Sequence, residues 1–351
     1  MARKADLRPS PISSTLSSDL LTISANFHVN YLPDILSTFK GLFTGRIDGL
    51  GLKEFDVENV IKPGVVLDGQ LAYEQDSRLS LIEAANRTAF RRNNLYFPQN
   101  GSASITPESL DTFHQQTIER AGNKKGYSLL LSVNDYKVIE RSELIDSINN
   151  IGIPIMEEVV KNTKTETNFN FNEGKEFRIE LNDSNFNEFL LNFPIKFGGF
   201  IQKNYQTSSI FDSLLKKRFP SAFVSVTSDT SLMSIYFKFS FDQSASDIKK
   251  QLEESIKELR SLPDLVKDED FTWAKERSKF NQSLSIDSRQ NRLLTFSHHF
   301  ALTGKLPEIS SHEDFSNEEL RALLKESIQG TKPVLISKGN YKKLPYYNEL
   351  L

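Results

Sequence analysis

Five histidines, His28, His114, His298, His299 and His312, carry the most consequential chemistry available to this chain. Imidazole binds transition metals and exchanges protons near neutral pH. Zinc hydrolases of the inverted type use His-x-x-Glu-His, in which two imidazoles one helical turn apart hold the ion and the glutamate polarises water. None of the five histidines starts such a string: Tyr31 stands three residues after His28, and Phe315 three after His312. His298 and His299 are consecutive, so on a helix they point about 100° apart and are poorly placed to share one metal. That pair reads as a half-buried helix edge. The chain has no cysteine, which excludes disulfides, thiolate catalysis and Cys-based zinc or iron–sulfur sites. Serines are plentiful, but no Gly-x-Ser-x-Gly string occurs. "FGGF" (197–200) is too short for a phosphate loop and reads as a bulge in a strand.

The elements that must position any site come next. The chain has 351 residues, 38% hydrophobic and 25% charged, enough for one large or two ordinary domains. A net charge of −3 provides no basic field for nucleic acid. Arg91-Arg92 and Lys216-Lys217-Arg218 read as solvated helix ends. No apolar run approaches the roughly 20 residues that span a bilayer, so any membrane association is expected to be peripheral. Arg3, Lys4 and Arg8 are accompanied by Asp6, which makes "MARKADLRPSP" a poor mitochondrial presequence. Phe271, Trp273 and the phenylalanines of 223–241 read as core.

An internal repeat organises the rest. "TLSSDLLTISANF" (15–27) aligns with "TSDTSLMSIYFKF" (227–239), Thr15 with Thr227 and Phe27 with Phe239, at a spacing of 212. "ANRTAF" (85–90) parallels "QNRLLTF" (290–296). "TPESLDTFHQQTI" (106–118) parallels "SNEELRALLKESI" (316–328), with Thr106 and Ser316 as N-caps and Glu319 completing a capping box. "LLLSV" (129–133) parallels "VLISK" (334–338). The second copy also has strands at 176–181 and 193–205 and a helix at 207–219 ahead of its matched strand. Subtracting 212 from 176 gives −36, so the first unit is expected to begin about 36 residues before Met1, incomplete at its N-terminus. Stretch 13–27, a strand or a hairpin of two, is then expected to find its pairing partner upstream or at 127–133.

The reading is an α+β chain of two similar units, each a mostly antiparallel or mixed sheet covered by helices on one side. Residues 1–150 form the first unit, 151–175 a polar linker, and 176–351 the second. A helix is expected at 140–150, and another over "SASDIKKQLEESIKELRSL" with Ile248, Leu252, Ile256 and Leu259 on its buried face.

This tandem α+β unit, its polar linker and the run "TSSIFDSLLKKRFPSAFVSVTSDTSLMSIYFKFS" resemble the pitrilysin/insulinase-like metallopeptidase superfamily. That group includes the mitochondrial processing peptidase and the core subunits of ubiquinol–cytochrome c reductase, respiratory complex III. "ADLRPSPISSTLSSDLLTISANFHVNYLPDIL" and the terminal "KGNYKKLPYYNELL" are similar to the fungal core-subunit-2 branch. The resemblance implies a non-catalytic structural subunit, peripheral on the matrix side of the mitochondrial inner membrane. Its partners would be the other complex III subunits, especially core subunit 1 and the membrane cytochrome subunits. It implies no cofactor, and no catalytic, cofactor-binding or metal-ligating residue. The family's third zinc ligand would fall near Gly69, which cannot bind zinc; Asp68 adjoins it and Glu74 lies more than a turn away. The alternative is a subunit of a processing-peptidase-like enzyme, either catalytic partner or non-catalytic. Against presequence binding, "KFGGFIQKNYQT" holds only Gly198 and Gly199 where the substrate-binding subunit carries a long glycine-rich loop.

Overall fold

Hydrophobic residues at helical spacing and capping serines open the helices at 245–265 and 317–328 in the computed structural model. It describes residues 13–16, 21–44, 57–64, 67, 76–90, 106–113, 141–150, 171–181, 185–200, 204–227, 229–303 and 315–350. In chain order the elements are β1 (Ser13–Leu16), β2 (Leu21–Ser24), α1 (Leu32–Thr44), α2 (Arg78–Phe90), α3 (Pro107–Phe113) and α4 (Arg141–Asn150). Then come β3 (Glu176–Glu180), β4 (Phe186–Pro194), α5 (Tyr205–Arg218), β5 (Ala222–Val226), β6 (Ser231–Ser240), α6 (Ala245–Leu265) and α7 (Asp268–Ser285). The chain closes with α8 (Arg289–Thr303), α9 (Asn317–Ile328), β7 (Val334–Gly339) and α10 (Tyr347–Leu350).

By contacts the chain divides into two units. One comprises Met1–Gln70, Phe97–Asn162 and Arg289–Pro307; the other comprises Leu71–Tyr96, Thr163–Ser288 and Glu308–Leu351. This partition is discontinuous: α2 falls with the sheet of the second unit, and α8 falls with the first unit. In the first unit, β1 and β2 pair antiparallel from Ser13↔Ser24 to Leu16↔Leu21. The opening stretch therefore forms a hairpin of two strands, one of the two forms expected of it. The segment 127–133 lies outside the described residues. In the second unit β5 and β6 form a hairpin closed by Val226↔Ser231. Both hairpins are joined by four residues, 17–20 and 227–230, at a spacing of 210. The caps repeat at the same spacing: Ser109 donates its N–H to Thr106 Oγ1 (3.2 Å), and Glu319 to Ser316 Oγ (3.1 Å).

The second unit is built on a mixed five-stranded sheet of order β3-β7-β4-β6-β5, parallel only at β3/β7. One face carries Phe189, Leu191, Phe193, Met233 and Ile235 against α5, α6, α7 and α9. Ile248, Leu252, Ile256 and Leu259 of α6 all enter this core, as their spacing indicates. The opposite face carries Leu190, Leu232, Val334 and Ile336 against Leu81, Ala84, Ala85 and Ala89 of α2. The sheet of this unit is thus covered on both faces, the second by a helix from the first half of the sequence.

Double burial explains where the strand reading slipped. β4 runs over 186–194 rather than 193–205, since a strand buried on both faces loses its polar–apolar alternation. "FGGF" consequently lies in the turn after the strand. A Cβ on Gly199 would stand 2.3–2.5 Å from the backbone of Asp229 and Thr230, and one on Gly198 would stand 2.7–3.0 Å from Ile195 and Ser231. These glycines let the turn close on the β5–β6 connection.

Of the expected linker, 151–170 lies outside the described residues, and its end is packed. Asn172 donates from its N–H to Ala89 O (2.8 Å) and from Nδ2 to Thr88 O (3.1 Å), capping α2, while Phe171 meets Phe90 edge-on at 5.9 Å. At α9, Ser316 and Glu319 form the reciprocal capping box. Ser316→Ala is expected to cost about 1 kcal/mol of stability, read as a shift in urea midpoint.

Candidate functional site

The groups with metal or proton chemistry do not converge. His28 is exposed, with Nδ1 accepting the Asn30 N–H at 3.4 Å. His298 and His299 are half-buried on α8, the helix edge their spacing suggests. His114, His312, Asp68, Gly69, Glu74, Arg91 and Arg92 lie outside the described residues. Among the described residues no group of three or more His, Asp or Glu side chains could hold a metal. Lys216, Lys217 and Arg218 end α5, where their charge suits the helix C-terminus; Lys216 pairs with Asp212 (2.7 Å) and Lys217 with Asp270 (2.7 Å). The Lys217 pairing holds the Asp270 carboxyl below its ordinary range.

The densest polar constellation lies where α2 meets the sheet. Glu188 sits in β4, 3% exposed, pointing to the same face as Leu190. Its Oε1 accepts from Ser77 Oγ (2.7 Å) and from the Tyr236 hydroxyl of β6, and Oε2 faces Lys338 Nζ of β7 at 3.7 Å. Lys338 Nζ also donates to Ser80 Oγ (3.0 Å) and Ser77 O (3.4 Å). Burial, with the Glu188 hydrogen bond second, pushes the Tyr236 phenol well above its ordinary pKa, so it stays a donor. Beside it Arg78 clamps Asp76 through two hydrogen bonds (2.8 and 2.7 Å), and these hold the Asp76 carboxyl low. Every oxygen of Glu188 is partnered and its cation is within the same cluster. The arrangement anchors α2 chemically; it contains neither an activated nucleophile nor an open ligand position.

Sequence reasoning missed this cluster. An acidic residue inside "FNEFLLNF" was the available signal, since a carboxylate in an apolar strand requires a buried partner. It also misjudged α7. Phe271 is fully buried, but Trp273 is 38% exposed, with Lys217 Nζ 5.0 Å from its ring centroid. Phe241, at the end of β6, is likewise exposed.

A mixed sheet with helices packed on both of its faces is an α+β fold. Two solved structures share it. A chain of "Complex III2 from Candida albicans, Inz-5 bound" matches with a TM-score of 0.67 at 14% identity, over 96% of this chain and 84% of that one. A protease from Helicobacter pylori matches with a TM-score of 0.68 at 12% identity, over 96% and 83%. No protein-family model matches the sequence, and no curated protein does. No helix among the described residues is long and apolar enough to cross a membrane.

Proposed function

We propose that the protein is a non-catalytic structural subunit of respiratory complex III, of the core-subunit-2 type. It would lie peripherally on the matrix side of the mitochondrial inner membrane, against core subunit 1 and the cytochrome-bearing subunits. The observation that carries this reading is the fold match over 96% of the chain to a chain of a fungal complex III. The terminal string "KGNYKKLPYYNELL" supports it: Leu344 and Leu350 pack into the core of the second unit, so the resemblance there has a structural role. The five histidines, none of which starts an inverted zinc motif, are compatible with a subunit that performs no hydrolysis.

The match to a protease favours one rival, a processing-peptidase-like subunit. Two measurements separate them. Tagged protein is expected to co-migrate with spectroscopically active complex III on native gels; recovery only in fractions lacking cytochrome b overturns the reading. Cleavage of presequence-like peptides that is abolished by a zinc chelator and restored by zinc would establish the rival instead.

A further inference from the structure

Strand β5 ends the second unit's sheet, with β6 on one side and, among the described residues, no strand on the other. The stretch around it, "SAFVSVTS" (221–228), contains no charge and no proline, and its Phe and Val residues favour strands. An uncharged, strand-forming edge is a template for adding a further strand. The opposite edge is protected by its composition: β3 is "EFRIE", three charges in five residues. β5 has no such protection of its own, and Val226 is 38% exposed.

What closes this edge comes from outside the strand. Asp212 of α5 accepts the Val224 N–H through Oδ1 at 3.1 Å. An N–H spent on α5 points away from β6, and alternation along an antiparallel strand gives the N–H groups of Ala222 and Val226 the same direction. The Ala222 N–H is taken by Phe219 O (2.9 Å), and just past Val226 the Thr227 O accepts the Phe200 N–H (2.8 Å). Backbone groups thus cover the two ends of the edge, and a single carboxylate covers its middle. Lys216 Nζ, one helical turn on, holds the other oxygen of Asp212 at 2.7 Å and steadies the carboxylate. We propose that Asp212 is an edge guard. Its carboxylate occupies the donor at the centre of β5 and prevents a second copy of this chain from adding its own β5 there. The inference is independent of the proposed complex III role.

Two readouts on the full chain test this: hydrogen exchange at the Val224 amide, and weight-average mass by sedimentation equilibrium from about 1 to 200 µM. Asp212→Ala keeps α5, since alanine is the best helix former, and removes the guard. At the lowest concentration its Val224 amide is expected to exchange about tenfold faster than the parent's or more. Its mass is expected to climb above the parent's as concentration rises. Asp212→Asn keeps an oxygen acceptor, and is expected to hold the parent's mass and an exchange rate within about threefold of it. Lys216→Ala loses the ion pair but leaves the guard, and is expected to behave as Asp212→Asn does. Asp212→Ala combined with Val224→Pro deletes the uncovered N–H, a change that edge strands tolerate. This double variant is expected to return to the parent's mass with unchanged far-ultraviolet circular dichroism. An Asp212→Ala variant with the parent's mass at every concentration overturns the proposal, as does a Val224 amide that exchanges no faster. So does association that Asp212→Asn shares in full, or that survives Val224→Pro.

Discussion

Glu188→Ala is expected to destabilise the second unit by about 3–5 kcal/mol, the range for removing one partner from a buried ion pair. Glu188 is 3% exposed; its carboxylate accepts two hydroxyl hydrogen bonds and faces the Lys338 ammonium at 3.7 Å. Its loss leaves the Lys338 ammonium, the Tyr236 hydroxyl and the Ser77 hydroxyl facing a cavity. Glu188→Gln keeps an acceptor for the two hydroxyls and loses only the ionic contact, so about half the destabilisation is expected. The chain's single tryptophan, Trp273, lies in α7 of this unit, and its fluorescence reports the urea transition. Limited proteolysis supplies a second readout. Because the cluster anchors α2, cleavage around 68–97 is expected to accelerate in Glu188→Ala before the sheet itself unfolds. An alanine variant within 1 kcal/mol of the parent would show that the cluster does not hold the helix.

Arg260→Ala is expected to cost about 3 kcal/mol, through the C-terminus of α9. The guanidinium of Arg260, on α6, donates to the carbonyls of Ile328, Gln329 (3.3 Å) and Thr331 (3.2 Å). The first two are acceptors that a helix leaves unsatisfied at its end, and Thr331 lies in the turn that follows. Gln329 answers from the other side, its Nε2 donating to Arg260 O (2.9 Å) and Asp264 Oδ2 (2.7 Å). That bond, with help from Lys325, holds the Asp264 carboxyl below its ordinary range. Arg260 also covers Phe193, 5.7 Å from the ring centroid. The tethered segment leads directly into β7, which lies between β3 and β4, so slack here is transmitted to the middle of the sheet. Arg260→Lys keeps the charge but not the planar array of donors, and is expected to regain less than half of the loss. A Lys variant as stable as the parent would reduce the contact to simple electrostatics.

Short-range signals were the legible part. The stripe Ile248, Leu252, Ile256, Leu259 and the box Ser316–Glu319 declare α6 and α9 within a dozen residues, because helix periodicity and capping are local. The hairpin at 13–24 is equally local, its pairing closed within a dozen residues. β4 was displaced by several residues because helices cover both faces of its sheet. Trp273 was placed in the core because composition alone does not distinguish the inner apolar stripe of α7 from the outer one.

By itself the sequence determined that this chain is an α+β protein, without cysteine chemistry, and without an inverted zinc motif in its 351 residues. Those properties depend on residue types and spacings along one segment at a time. Only the tertiary structure decided that α2 leaves its neighbours in sequence to cover the far face of the second unit's sheet. It alone united Ser77, Glu188, Tyr236 and Lys338, drawn from four elements or their flanks, into one buried cluster. The reason is energetic: a buried carboxylate is tolerable only with its donors around it, and those donors arrive from chain positions that no local pattern connects.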